Sequence, residues 1–106
     1  MPLPDLDPEE RRAALAKAAE ARRIRAELKQ MLKAGEVSLR EVLDRAGSAD
    51  ALAKMRVSEV LESMPTYGPV KARTLMEELD IAQSRRLRGL GPRQRERLLE
   101  IFEAGS

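Results

Sequence analysis

The sequence has no cysteine, no histidine and no tryptophan, and it has one phenylalanine and one tyrosine. Without cysteine and histidine there is no disulfide, no thiolate or imidazole for catalysis, and no zinc site of the usual ligand types. The near absence of aromatic side chains excludes a row of them on which nucleic acid bases would stack. Most familiar catalytic and metal-binding constellations are therefore excluded, and we expect no enzyme, no cofactor and no metal.

Long apolar runs are also missing. No segment approaches the ~20 apolar residues that a membrane-spanning helix needs, and the acidic start MPLPD over residues 1–5 lacks the pattern of a signal peptide. We therefore expect a cytoplasmic protein without a membrane partner. The 106 residues fit one small domain, or a core domain with an arm. Hydrophobic residues make up 42% of the chain, so aliphatic side chains and methionine must fill the core.

The charges are strongly segregated along the chain, although the net charge is only +2. Residues 1–10 carry four acids and no base, whereas residues 11–33 carry eight bases and two acids. Residues 85–97 carry six arginines and one acid. The binding of clustered cations to phosphates is favoured because it releases the counterions that condense on those phosphates. The two basic blocks therefore favour a polyanionic partner, nucleic acid first.

The patterning predicts an all-α fold, with a long N-terminal helix and a compact helical body. No segment alternates apolar and polar residues, and β-branched residues are few. Asp7 is placed to cap a helix that has Pro8 in its first position. That helix runs to about Lys33, and Gly35 is a suitable left-handed residue to end it.

The first helix is expected to carry a cationic stripe opposite an apolar stripe. At 100° per residue the five cationic residues fall within about 80° of one another; they are Arg11, Arg22, Arg25, Lys29 and Lys33. The opposite face holds Ile24, Leu28 and Met31, all in the second half of the helix. We therefore predict an arm over residues 1–34 and a body over residues 35–106. A solvated helix face is the alternative interpretation of the stripe.

Caps and helix breakers predict several shorter helices in the body. Ser38 and Glu41 form a capping box for a short helix through Ala46, which Gly47 ends. Ser48 or Asp50 is the expected cap of the next short turn. A further helix is predicted to begin at Val57 and to be stopped by Pro65. Two more are predicted to begin at Pro69 and Pro92, and Ser84 is predicted to cap a short basic turn.

The segment MPTYGPVKA over residues 64–72 joins two short helices by a tight turn, a helix-hairpin-helix pattern. The first N–H groups of a helix have no acceptor within it, and Gly68 lets a phosphate oxygen approach those of Val70 and Lys71. Lys71 adds a charge, and a glycine at position 68 permits a positive φ. Such a site contacts the phosphate backbone and not the base sequence. An ordinary helical turn is the alternative interpretation.

The densest basic segment is RRLRGLG over residues 85–91. Like charges packed this closely cost stability unless an anion neutralises them. The two glycines shape a turn there, which favours binding over a merely solvated face. We predict that Arg85, Arg86 and Arg88, here named the arginine cluster, bind an anion.

Several segments together resemble the integration host factor family of actinobacteria, over nearly the whole chain. They are the Ala/Arg-rich first helix, KMRVS at 54–58, LESMP at 61–65, VKA at 70–72 and RRLRGLG at 85–91. The resemblance implies a helical core related to the helix-two-turn-helix domain of ribosomal protein S13, with the first helix on or beside DNA. It also implies duplex DNA binding with little sequence preference, DNA bending or compaction in the nucleoid, and support of phage integrase-mediated recombination on an integrase–DNA complex.

By the same resemblance the arginine cluster contacts DNA, and residues 68–72 form a DNA-contacting hairpin. Two positions depart from the family pattern. Relatives commonly have Gly or Lys before the hairpin glycine, where this chain has Thr66 and Tyr67. Relatives have Lys after it, where this chain has Pro69, which removes one N–H and one charge.

Our interpretation is a monomeric DNA-binding protein that holds phosphates with the arginine cluster, the hairpin and Arg22, Arg25 and Lys29 of the long helix. Two rival hypotheses stay open: an RNA-binding module of the ribosomal type, and a protein-interaction domain that docks through its first helix. An enzyme is the weakest, because none of the 18 carboxylates stands in an apolar setting or beside a nucleophile.

Overall fold

The computed structural model describes residues 7–104. Over this range the helices are α1 (Pro8–Lys33), α2 (Leu39–Ala46), α3 (Asp50–Ala53), α4 (Val57–Glu62), α5 (Pro69–Glu78) and α6 (Pro92–Ala104), with a 3-10 turn at Leu87–Gly89. The described range contains no β-strand, so the predicted all-α class is confirmed. None of these helices is long and apolar enough to cross a membrane. The acidic start of the chain, residues 1–5, lies outside the described residues.

The first helix begins and ends where its sequence predicts. The Asp7 carboxylate accepts a hydrogen bond from the Glu10 N–H at 2.7 Å, which satisfies one of the free donors of the first turn. At the other end Gly35 adopts φ +74°, and the Glu36 N–H donates to the Met31 carbonyl at 2.9 Å. This is a Schellman motif, in which a left-handed residue closes the last turn of the helix.

The core is aliphatic, and helices from the whole length of the chain contribute to it. The buried side chains are those of Leu28, Leu32, Val37, Leu39, Val42, Leu43, Leu52, Met55, Val57, Val60, Leu61, Ala72, Leu75, Met76, Ile81, Leu87, Leu98 and Leu99. No polar or charged side chain is buried among residues 7–103. The charged third of the sequence therefore lies on the surface, and its arrangement there is set by the helices that carry it.

The second half of α1 packs into this core through Leu28 and Leu32, whereas residues 8–20 are exposed. The molecule is accordingly elongated, with extents of 51 × 31 × 25 Å. An arm that ends at residue 34 stays a prediction, because the buried residues of α1 belong to the same core as those of the body.

The capping of α2 is confirmed in part. The Ser38 hydroxyl oxygen accepts a hydrogen bond from the Glu41 N–H at 3.1 Å, and the same hydroxyl lies 3.4 Å from the Glu41 carboxylate, to which it donates. The helix ends before Gly47 as predicted, but Gly47 has φ −66° and is right-handed. The conformational freedom of that glycine is therefore not used.

Two other predicted caps are wrong. The residue before α3 is Ala49, with no side-chain cap, so neither Ser48 nor Asp50 caps this helix. The 3-10 turn follows Arg86, two residues after the predicted cap Ser84, and also lacks a side-chain cap. Elements this short have little stability of their own, so tertiary packing decides where they begin.

Ion pairs on the surface tie distant helices together. Arg40 of α2 donates two hydrogen bonds to the Glu103 carboxylate of α6, at 2.7 and 2.8 Å. These bonds hold the pKa of Glu103 below its ordinary value. Arg95 of α6 likewise donates to Asp44 of α2 at 2.6 Å. Both pairs are exposed, so solvent screens them and each contributes modestly to stability.

Replacing Gly35 by alanine is expected to lower the free energy of unfolding by about 1 kcal/mol, because an L residue is strained in the left-handed conformation. A Cβ atom at this position would meet nothing within 4 Å, so the cost is that of the backbone alone. Gly35→Asn is the matched control and should lose less, since asparagine tolerates this conformation. Urea denaturation measures both, and equal losses would contradict the explanation.

Candidate nucleic-acid interface

Two backbone hydrogen bonds hold the arginine cluster against the turn between α3 and α4. The Val57 N–H donates to the Arg85 carbonyl, and the Leu87 N–H donates to the Met55 carbonyl, both at 2.9 Å. Between them lies a single antiparallel β-bridge. The Leu87 side chain is buried, whereas the arginines on either side of it are exposed. The cluster is therefore presented to solvent by a fixed backbone.

The three arginines of the cluster have different surroundings. The Arg85 guanidinium donates to the Gly89 carbonyl at 2.6 Å, so its side chain folds back over its own turn. The Arg86 guanidinium donates to the carbonyl of Lys54, at the end of α3. Arg88 is exposed, and the described residues offer its side chain no hydrogen-bond acceptor. Arg86 thus has a structural role that Arg88 does not share.

A cleft of about 480 Å³ opens between α1 and the side of the body that carries Arg86. Its lining residues are Arg22, Arg25, Ala26, Lys29, Lys54, Met55, Glu59 and Arg86. Five of the eight are cationic and one is acidic, so we name it the cationic cleft. The two basic blocks of the sequence, which lie far apart in the chain, meet in this cleft.

The predicted geometry of the first helix is wrong in one respect. Leu32 is fully buried, and on the helical wheel it lies only about 20° from Arg25 and about 60° from Lys29. The cationic stripe therefore borders the core instead of lying opposite to it. Arg25 and Lys29 are half-buried as a result, and both line the cationic cleft.

An acidic residue sits beside this basic surface. Asp50, the first residue of α3, accepts from Lys54 at 3.0 Å. That hydrogen bond and the charge of Lys54 hold the pKa of Asp50 below its ordinary value, with weaker contributions from Lys17 and Arg88. Lys17, Asp50 and Lys54 line one neighbouring pocket, so cationic side chains continue along the surface beyond the cationic cleft.

The hairpin before α5 leaves backbone donors free. None of the described residues accepts a hydrogen bond from the N–H groups of Val70 and Lys71, whereas the Ala72 N–H donates to the Gly68 carbonyl at 3.0 Å. Gly68 is extended, with φ −135°, so this glycine does not use the positive φ that its lack of a side chain permits. The positive φ of the hairpin lies at Thr66, with φ 67°. A Cβ at Gly68 would meet nothing within 4 Å, so the approach to these donors is open.

Side chains around the hairpin connect it to α6. The Lys71 ammonium lies 5.4 Å from the centroid of the Tyr67 ring, and that ring lies 4.9 Å from the ring of Phe102. Val70 is 78% exposed. Neither Gly68 nor Val70 nor Lys71 lines the cationic cleft. The structure thus shows two separate features. The cationic cleft brings together Arg22, Arg25, Lys29 and Arg86, the hairpin holds Gly68, Val70 and Lys71, and Arg85 and Arg88 belong to neither.

Sequence reasoning missed Lys54 and Glu59. Lys54 stands in the segment KMRVS that carries the family resemblance, but it follows a one-turn helix, where no periodicity marks the direction of a side chain. Glu59 lies on α4, and the apolar pattern of that helix predicts which of its residues enter the core but not which neighbour a polar residue meets. Lys54 lines the cleft because α3 packs beside α1, and Glu59 lines it because α4 packs there too.

The family model of the S13-like H2TH domain, a helix-two-turn-helix fold, matches residues 32–102. This range covers the end of α1, the hairpin and the arginine cluster. The protein is therefore of the helix-two-turn-helix class.

Proteins named Integration host factor are similar to the chain over most of its length. The one from Mycolicibacterium smegmatis is 56% identical over 103 residues, covering 97% of this chain and 98% of that one. The one from Mycobacterium tuberculosis is 58% identical over 102 residues, covering 96% and 97%. The one from Streptomyces coelicolor is 53% identical over 94 residues, covering 89% and 88%.

A solved structure described as sIHF bound to an 8 bp palindromic DNA is also similar. It superimposes with a TM-score of 0.81 at 48% identity, covering 82% of this chain and 98% of that chain. The chain belongs to the integration host factor family of actinobacteria, and the resemblance seen in the sequence is confirmed.

Replacing Arg86 by alanine is expected to lower the free energy of unfolding by roughly 0.5–1.5 kcal/mol, because its hydrogen bond to the Lys54 carbonyl is lost. Arg88→Ala is the matched control and should leave the melting temperature nearly unchanged, since the lost repulsion from neighbouring arginines and the lost weak attraction to Asp50 oppose each other. Thermal denaturation of both variants in the absence of nucleic acid measures the difference. Equal melting temperatures would show that the Arg86 contact contributes nothing to folding.

Proposed function

We propose that the protein is a non-enzymatic architectural protein that binds duplex DNA through its phosphates, with little sequence preference. The observation that carries this proposal is the cationic cleft, in which Arg86 of the second basic block meets Arg22, Arg25 and Lys29 of the first. Cations arranged in this way on a fixed scaffold gain from counterion release when they meet a phosphate backbone. The DNA-bound relative and the family membership support the same partner.

The proposed contacts fall into three groups. The first helix supplies three cations of its stripe, the body supplies the arginine cluster, and the hairpin supplies free backbone donors and one ammonium. The residues are Arg22, Arg25, Lys29, Gly68, Val70, Lys71, Arg85, Arg86 and Arg88. We expect the exposed Arg88 to contribute charge without structural cost, and Arg85 and Arg86 to be partly committed to backbone carbonyls.

We further propose that the protein bends or compacts DNA in the bacterial nucleoid and supports integrase-mediated recombination, and that it acts as a monomer. Bending needs two surfaces that hold one duplex at separate places. The cationic cleft and the hairpin share no residue, and Arg11 continues the cationic stripe into the exposed part of α1. Bending 20–30 bp by 40–90° costs on the order of 1–6 kcal/mol, which a few added phosphate contacts offset.

An RNA-binding module is the second candidate, and the S13-like description of the domain favours it. A structured RNA and a duplex DNA of equal length, competed in one titration, separate the two. We expect the duplex DNA to displace the RNA. The reverse order would assign the basic surface to RNA.

Binding to a duplex should weaken steeply with salt. If roughly six phosphates are neutralised, the logarithm of the association constant falls against the logarithm of salt with a slope of about −5. Arg88→Ala should make that slope shallower by about one unit. Arg97→Ala is the control, because Arg97 lies on α6 outside the proposed contacts and pairs with Glu100. Salt-independent binding, or binding confined to one short sequence, would contradict the proposal.

Two substitutions test the hairpin in opposite directions. In Gly68→Ser the hydroxyl is placed to accept from the free N–H groups of α5, so the protein should stay as stable or gain slightly while its DNA affinity falls. Pro69→Lys restores an N–H and a charge, so it should bind more tightly, with a salt slope steeper by about one unit. Fluorescence titration and thermal denaturation measure both properties. Unchanged affinity in both variants would remove the hairpin from the interface.

A further inference from the structure

The cationic cleft concentrates more charge than its own surface neutralises. Five cations and the single carboxylate of Glu59 give its lining a net formal charge of +4. Within the described residues Lys29 and Lys54 each have one acidic neighbour, whereas Arg22 and Arg25 form no ion pair. Unneutralised like charges facing one space repel each other, and an anion placed between them removes that cost.

The shape of the cleft suits a small ligand. Its volume of about 480 Å³ lies within the range of roughly 300–1,000 Å³ that is typical of small-molecule sites. Its cations come from three parts of the fold, α1, the end of α3 and the arginine cluster, so they border the cleft from more than one side. A compact polyanion can contact cations on several sides of such a cleft at once, whereas a duplex presents its phosphates one after another along a convex rod.

The cleft is also partly preorganised. The Arg86 side chain is held by the Lys54 carbonyl, and its backbone is fixed by the bridge to the α3–α4 turn. Met55 beneath the cleft is buried, and Arg25 and Lys29 are half-buried. Side chains that are already ordered lose little conformational entropy on binding, which raises affinity for a ligand of matching charge.

We propose that the cationic cleft is a binding site for a compact oligophosphate anion, and that this anion competes with DNA for the cleft. The first half of the proposal stands without the proposed function, and the second half rests on it. The shared chemistry is a chain of two or three phosphate groups, whether inorganic or at the end of a nucleotide. Arginine forks and lysine ammonium groups are the usual protein partners of such anions.

Glu59 determines how strongly the cleft attracts an anion. Its carboxylate lies 3.8 Å from the Lys29 ammonium and faces the same space. Its negative charge partly neutralises the site in the free protein and repels an incoming phosphate. Removal of this one charge should therefore increase the affinity of the cleft for the anion. A damaged fold would lower that affinity, so it cannot account for an increase.

Isothermal titration of the intact protein with inorganic triphosphate at low salt tests the site. We expect saturable binding with one anion per protein. Arg25→Ala and Lys29→Ala should each weaken it by about tenfold, since each removes a charge-assisted contact, and Arg97→Ala should leave it unchanged. ATP tested beside the inorganic anion shows whether the phosphate chain alone is recognised. Binding that does not saturate, or that Arg97→Ala weakens equally, would overturn the site.

The sign of the Glu59 effect gives a second, independent readout. Glu59→Gln should tighten triphosphate binding several-fold, whereas Glu62→Gln, on the same helix but outside the cleft lining, should not. An equal effect of the two variants would mean that the whole protein charge, and not the cleft, attracts the anion. That result would overturn the proposal even if binding itself were saturable.

Competition with a labelled duplex tests the second half. We expect triphosphate to displace DNA at concentrations that saturate the cleft, and to lose this ability in Arg25→Ala. If triphosphate binds but DNA stays bound, competition is overturned and the oligophosphate site stands. If the duplex does not bind at all, the proposed DNA function fails, and the titration with triphosphate alone still decides the site.

Discussion

The placement of the arginine cluster depends on a short piece of paired backbone. Two hydrogen bonds of 2.9 Å join the segment before the 3-10 turn to the turn between α3 and α4, and the buried Leu87 side chain anchors the pair to the core. Both segments are too short to form stable elements alone, so they stabilise each other. Because α4 and α3 pack near α1, this pairing places Arg86 across a cleft from Arg22 and Arg25.

The division between core and surface makes such a basic surface possible. The core of the described residues is aliphatic and has no buried polar side chain, so the fold needs no ion pair in its interior. The cations stay at the surface, where repulsion between them costs stability but is screened by water and salt. Attached to rigid helices, they keep their spacing when the partner is absent. This spacing is what gives a phosphate-bearing ligand a defined place to bind.

Much of the fold could be predicted from local signals in the sequence. Asp7, Pro8 and Gly35 set the limits of α1, and their effects act within one helical turn. Residues 8–20 are exposed, so no tertiary contact competes with the cap at that end. The caps assigned to Ser48 and Ser84 were wrong because α3 and the 3-10 turn are one turn long. For elements of that length the energy of packing exceeds the energy of a cap, and packing depends on residues that are distant in the sequence.

The sequence by itself determined the helical class, the two basic blocks and the hairpin pattern, since each follows from composition, periodicity or a run of adjacent residues. It also identified the family, through the resemblance of several segments to known members. Only the tertiary structure decided that Leu32 is buried beside the cationic stripe. It also decided that Lys54, Glu59 and Arg86 line the same cleft as the stripe, whereas Arg85 bonds to its own turn. The reason is that a helical wheel gives the angle of each side chain around one helix but not which part of the circumference the neighbouring helices cover. That coverage is fixed only when α1, α3 and α4 pack together, and it converts two distant blocks of charge into one cleft.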